Sequence, residues 1–317
     1  MPNRVIAIEE HNLPRDIAAE AGPSFPPAYA DPLDDLGEGR LGVMDEAGID
    51  LQVLSLVGPG VQALAPARSA EVSRDANDRM AAACAAHPER FRAFATLPMS
   101  DPPAAAEELR RCVGEHGFLG AMVHGQTGGR WLDDPANEPV LDALEQLGVP
   151  VYLHPAPPPP EVLRAYYSGL GDAGAALATA AWGWHVECGM HVLRLVATGA
   201  FDRHPGLRVI VGHMGENLPF SLARADERLG PVIHTERSVT ETVLAQVWIT
   251  TAGYTTVPPL LCALQVFGAE RILFSVDHPF SDSMVATAFL RSAPISPADR
   301  EKVAWSNATA VLGLGAG

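Results

Sequence analysis

The sequence predicts an α/β protein folded as a single (β/α)8 barrel over residues 1–317, and three observations lead there. Short apolar runs rich in β-formers alternate with longer helical patterns, the signature of βαβ units and a parallel sheet. There are eight such runs. Several of them stop at a His, Asp or Glu, and in a barrel every strand ends on one shared face, where active sites are built. A doubly wound open sheet is the alternative arrangement of the same alternation.

The first strand is expected over residues 4–9 and runs into Glu9-Glu10-His11. Strand side chains alternate, so Glu9 and His11 point one way and Glu10 the other. A metal ion or an ion pair would give such a pair a role. A long Pro-rich connection, residues 12–36, follows; in it Phe25 is a candidate aromatic wall for a pocket. Strands at 51–56 and 92–97 enclose a helix at 70–87, and a helix at 103–116 leads to a strand at 118–123 that stops at His124. After a helix at 138–147, the strand at 149–153 stops at His154.

The rhythm breaks there. Residues 155–184 are too long for a plain connection, and the four prolines Pro157–Pro160 favour a stiff extended rim. This insertion is expected to be a lid. A helix at 185–198 begins beside Trp182, Trp184 and His185, read as a packing and lid-anchoring cluster. The last strands, 207–212, 247–251 and 272–276, bring His213 and Asp277 to their ends.

Composition narrows the function classes. The formal net charge of −16 argues against nucleic acid or an anionic membrane as partner, since both demand basic surface. No apolar run reaches the roughly 18 residues of a membrane span, and the N-terminus lacks a signal-peptide core. Cys84, Cys112, Cys188 and Cys262 have no CxxC spacing and read as reduced thiols of a cytoplasmic protein. Lysine occurs once, at Lys302 in an expected C-terminal helix, so Schiff-base and Walker-type chemistry have one poorly placed candidate. "GLGDAG" at 169–174 fits a dinucleotide pattern but follows no buried strand, and no GxSxG elbow exists.

The strand ends carry the chemistry instead. Glu9, His11, His154, His213 and Asp277 supply the nitrogen and oxygen donors that Zn2+ or Mn2+ accepts. Each also has a plainer reading, His as a hydrogen-bonded structural group and Asp277 as a helix N-cap ahead of Pro279. Four strand ends with the same ligand chemistry on one face are harder to obtain from caps and turns.

"IEEHNLP", "VYLHPAPPP", "VIVGHMGENLPF" and "ILFSVDHPF" resemble the signatures of the amidohydrolase superfamily, in the branch often labelled amidohydrolase 2. That branch includes gamma-resorcylate, 2,3-dihydroxybenzoate and aminocarboxymuconate-semialdehyde decarboxylases. The resemblance implies a barrel with one divalent metal, Zn2+ or Mn2+, held by Glu9, His11, His154 and Asp277. It implies a catalytic His213 oriented by Glu216, and Arg224 turned toward the substrate pocket. No lysine is available to bridge a second metal on the fourth strand, so the site is expected to be mononuclear. His124 and His278 depart from the family pattern, where Asn and an aromatic residue are usual, and both are candidate substrate-binding imidazoles.

The implied activity is non-oxidative decarboxylation of a small hydroxy-aromatic or related unsaturated carboxylic acid, with Asp277 as first candidate for the proton carrier. The same ligands would serve a hydrolase or hydratase that attacks a lactone, ester or amide with a metal-activated water. A barrel that binds without turnover is the non-enzymatic reading. The expected partner is a small-molecule carboxylate, and relatives imply a homodimer or homotetramer.

Overall fold

Parallel strands alternate with outer helices and close on themselves in the computed structural model, which describes residues 2–21 and 25–315. The strands are β1 (Ile6–Asn12), β2 (Leu51–Leu56), β3 (Phe91–Ala93), β4 (Ala95–Thr96), β5 (Ala121–His124), β6 (Val151–His154), β7 (Val209–Val211), β8 (Val247–Thr250) and β9 (Ile272–Leu273). Every ladder is parallel.

β3 and β4 together are the single strand expected at 92–97. The strand changes partner at Phe94, whose N–H donates to Leu54 on β2, while the next N–H, of Ala95, donates to Gly120 on the other side. The barrel closes between β1 and the segment after β9, where His11 N–H donates to His278 (2.8 Å) and Asp277 N–H donates to Glu9 (3.1 Å). β9 is shorter than the expected 272–276 because side chains take over its hydrogen bonds. Ser275 N–H donates to Thr251 Oγ1, and Val276 N–H donates to Glu10 Oε1.

β1 decides the site. Ile6 and Ile8 pack inside the barrel with Leu51, Val53, Phe94, Met122, Tyr152 and Ile210. Strict alternation would then put Glu10 inside and turn Glu9 and His11 out. The register shows otherwise: Ala7 pairs with Gln52 but Glu10 with Leu54, so β1 holds one extra residue between these pairs. This β-bulge resets the alternation. Glu9 and His11 enter the barrel, and Glu10 faces outward to Gln52 and the buried Arg40.

The helices expected at 70–87, 103–116, 138–147 and 185–198 occur at Pro66–Ala86, Pro102–His116, Glu138–Leu147 and Gly183–Ala197. Their starts and stops are chemical. Asp101 accepts from Ala104 N–H ahead of Pro102, and the helix ends where Gly117 takes φ +67°. Their apolar faces, such as Leu109, Leu144, Val192 and Leu195, pack on the outward residues of the strands. The 155–184 insertion has structure of its own, with helical turns at Pro160–Val162, Leu163–Tyr167 and Asp172–Ala178. Among the described residues no helix is long and apolar enough to cross a membrane.

Candidate active site

At the C-terminal mouth of the strands, Glu9, His11, His154 and Asp277 each offer one donor atom, and these atoms lie within 4.8 Å of one another. His11 Nε2 is 3.3 Å from Asp277 Oδ1, and His154 Nε2 is 3.4 Å from Glu9 Oε1. The opposite nitrogen of each ring is already engaged. His11 Nδ1 is 3.1 Å from Ser55 Oγ, and His154 Nδ1 donates to the Pro155 carbonyl at 2.8 Å. Such outer contacts fix a metal-binding imidazole's tautomer and leave Nε2 free to coordinate. Glu9 Oε2 is held by Tyr152 and Thr250, which leaves Oε1 toward the cluster.

The donors fit a divalent cation on this structure's own terms. Glu9 Oε1 and His11 Nε2 are buried and have no hydrogen-bond partner. Orphaned polar atoms of this kind call for an ion or another unseen partner. Burial raises the Glu9 pKa and pushes that of His154 well below 6.5. A dication would reverse the first effect and use the second, since only the neutral ring has a lone pair to give.

His213 stands beside the cluster, its Nε2 3.8 Å from both Glu9 Oε1 and Asp277 Oδ2. Its Nδ1 is 2.7 Å from Glu216 Oε1, and Glu216 Oε2 is 2.6 Å from His185 Nδ1. Burial opposes charge on His213, but Glu216, Glu9 and Asp277 outweigh it and raise its pKa well above 6.5. Burial likewise opposes the Asp277 carboxylate, yet His11 and His213 prevail and hold it below the usual range. The turn is strained: His213, Met214, Glu216 and Asn217 all have φ between 48° and 65°, and Asp277 has φ 74°. Left-handed backbone at five non-glycine residues costs energy and marks a site held in shape by its surroundings.

A cavity of about 750 Å³ opens over the cluster. Phe25, Tyr29 and Phe280 form one aromatic wall, with ring centroids of Phe25 and Tyr29 at 5.4 and 5.3 Å from Phe280. Trp184, His185 and Tyr254 line it elsewhere, together with Pro155, Pro157 and residues 179–181 from the insertion. Phe25, expected as an aromatic wall, lies on the cavity.

Three expectations need correction. Arg224 does not reach the cavity of its own chain; it sits on the solvent side of the helix Leu218–Leu229, 63% exposed, paired with Glu227. His124 is not on the cavity wall but behind His154, its Nδ1 3.2 Å from His154 Nδ1, and burial lowers its pKa to about 3. His278 is also off the wall, because its backbone is spent on barrel closure and its ring is buried. Burial and the nearby Arg40 charge lower its pKa to about 3.

Sequence reasoning missed Ser55, Tyr152 and Thr250, since single hydroxyls inside strands carry no spacing signal. His185, expected to pack and to anchor the lid with Trp182 and Trp184, also reaches Glu216, a contact that carries no spacing signal.

The chain matches the amidohydrolase family over residues 10–314. It is 39% identical to gamma-resorcylate decarboxylase of Rhodococcus jostii, covering 98% of each chain, and 40% identical to that of a Rhizobium species, again over 98% of each. Among solved structures it superposes on the dihydroxybenzoic acid decarboxylase of Polaromonas sp. JS666, which has manganese and the inhibitor 2-nitroresorcinol bound. The TM-score is 0.92 at 38% identity, covering 98% of this chain and 97% of that one. The 5-carboxyvanillate decarboxylase of Sphingomonas paucimobilis gives 0.92 at 30% identity, over 98% and 99%.

Proposed function

This chain belongs to the amidohydrolase family, and from that we propose that it is a metal-dependent non-oxidative decarboxylase of a small hydroxy-aromatic acid. The observation that carries the reading is the pair of orphaned atoms, Glu9 Oε1 and His11 Nε2, in a four-donor cluster on the floor of an aromatic-walled cavity. Glu9, His11, His154 and Asp277 would hold one Zn2+ or Mn2+. When bound, that ion supplies Lewis acidity and a template for a carboxylate and its neighbouring hydroxyl oxygen.

The chain's own residues do the rest. No Arg or Lys lines the cavity among the described residues, so the substrate's negative charge is met at the cluster and by His213. Phe25, Tyr29, Phe280 and Trp184 suit a flat ring and exclude water around it. His213 holds the proton at rest, and Asp277, ionised there, takes it and passes it to the ring carbon that bears the carboxylate. The bond from that carbon to the carboxylate carbon then breaks, its electron pair returns to the ring, and CO2 departs. A solvent proton restores His213, whose ring is steadied by Glu216. One proton is consumed for each carboxylate lost. The 155–184 insertion acts as a lid over this chemistry. A cytoplasmic setting agrees with four unbridged cysteines, and a homodimer or homotetramer with exposed apolar side chains such as Tyr166, Phe220 and Val232.

The test is a panel of hydroxybenzoic acids with CO2 and phenol both quantified. Equal amounts of the two are expected. Turnover that consumes water and releases no CO2 overturns the reading. His213→Asn should keep its metal while losing roughly 10²–10⁴-fold in turnover, the range of a proton-transfer group.

A further inference from the structure

Glu216 is buried, and each of its oxygens has an imidazole against it. Oε1 serves His213. Oε2 serves His185, whose other nitrogen, Nε2, lies 2.9 Å from the Ala180 carbonyl. A carbonyl and an ionised carboxylate both only accept, so the ring donates from both nitrogens, Nε2 to Ala180 and Nδ1 to Glu216. His185 therefore bridges the Glu216 carboxylate and the stretch 179–181 that walls the cavity. The helix that bears it has no slack. A Cβ on Gly189 would stand 2.5 Å from the Glu216 carbonyl oxygen, and one on Gly183 would stand 2.4 Å from that of Ala178. Helix, turn and wall are thus packed backbone to backbone, with the His185 ring spanning them.

We propose that His185 is a positioning residue: it holds Glu216 in line with His213 and couples that pair to the seating of residues 179–181. This deepens the decarboxylase reading and rests on it. Without His185, Oε2 becomes a buried carboxylate oxygen with no donor, and the carboxylate gains by turning away from His213 toward water. With His185 in place, a wall segment lifted from the cavity pulls on the Nε2 bond, and the Glu216–His213 pair is set only when the wall is down.

Two conservative variants separate the halves of the bridge. The side-chain amide of His185→Asn reaches the place of Nδ1 and keeps the donor to Glu216; that of His185→Gln reaches the place of Nε2 and keeps the tie to Ala180. His185→Ala removes both. We expect kcat to fall about tenfold to a hundredfold in His185→Ala with KM little changed, a smaller loss than the roughly 10²–10⁴-fold of a proton-transfer group itself. His185→Asn should recover most of that kcat and His185→Gln little of it. Trypsin cleavage after the exposed Arg164, followed by mass spectrometry without substrate, should run in the other order: faster in His185→Ala and His185→Asn, near wild type in His185→Gln. Metal content should be unchanged in all three.

Wild-type kcat in His185→Ala overturns the proposal, as does His185→Asn no better than His185→Ala, or one cleavage rate shared by every variant. If His185→Ala does not fold, the contrast between the other two decides. If the wild-type enzyme decarboxylates no hydroxy-aromatic acid, the functional reading fails by itself, and the cleavage order still tests the tether.

Discussion

Ser55 illustrates how the site is built at the scale of single residues. Its hydroxyl faces His11 Nδ1, fully buried, and has no other described role. Ser55→Ala leaves that nitrogen without a partner and the ring free to turn, so metal affinity should weaken about 10–100-fold, the usual cost of losing such a support. Competition against a chelator of known affinity measures it; an unchanged dissociation constant would mean the ring is held by packing alone. Tyr152 and Thr250 do the same for Glu9. The donors were legible because four strand ends repeat one chemistry, and the family resemblance set the ligands Glu9, His11, His154 and Asp277 apart from His213. Their supports were not, because Ser, Thr and Tyr in a strand look alike whether they brace a ligand or merely fill space. Arg224 shows the converse: the resemblance turned it toward the substrate pocket, whereas on the helix Leu218–Leu229 it faces solvent, away from its own chain's cavity.

At the scale of elements, the bulge in β1 and the turn after β7 do the aiming. The turn of alternation between Ile8 and Glu9 has no sequence mark, since a bulge adds one residue and no special side chain. Sequence alternation alone could relate Glu9 to His11 but could not tell which face was inward. Gly212, directly after β7, is the matching device. A Cβ there would come within 2.6 Å of Glu9 Oε2 and 3.0 Å of the Tyr152 hydroxyl. Glu9 cannot retreat, being pinned by Tyr152 and Thr250. Gly212→Ala should therefore purify with much less than one metal per chain while remaining folded, as elemental analysis and circular dichroism together would show. Full metal content would mean that Glu9 has room to shift.

At the scale of the whole molecule, the barrel was legible because eight apolar runs alternate with helices along the entire chain. Its seams were not: the partner switch at Phe94 and the closure at Glu9–Asp277 are backbone hydrogen bonds between segments far apart in sequence. The insertion after β6 was visible as a break in rhythm, but its short helices were masked by prolines and glycines. Buried imidazoles should also give the fold an acid weakness. His191 accepts from Leu132 N–H in the interior, away from the metal donors, and burial lowers its pKa to about 3. The folded value lies below the unfolded 6.5, so its contribution is complete above pH 6.5 and is lost progressively as pH falls toward 3. His191→Gln keeps an acceptor without a titrating ring. Its denaturation stability should fall less steeply between pH 6.5 and 4, by up to about 1.4 kcal/mol per pH unit, and an identical slope would contradict this. One dication at Glu9, His11, His154 and Asp277 makes this barrel a decarboxylase. Metal-stripped protein titrated with Mn2+, with CO2 release from 2,6-dihydroxybenzoate and related acids recorded at each addition, puts this to the test. Activity should rise from zero and break at one equivalent per chain, whereas full-rate CO2 release by stripped protein would rule the dication out.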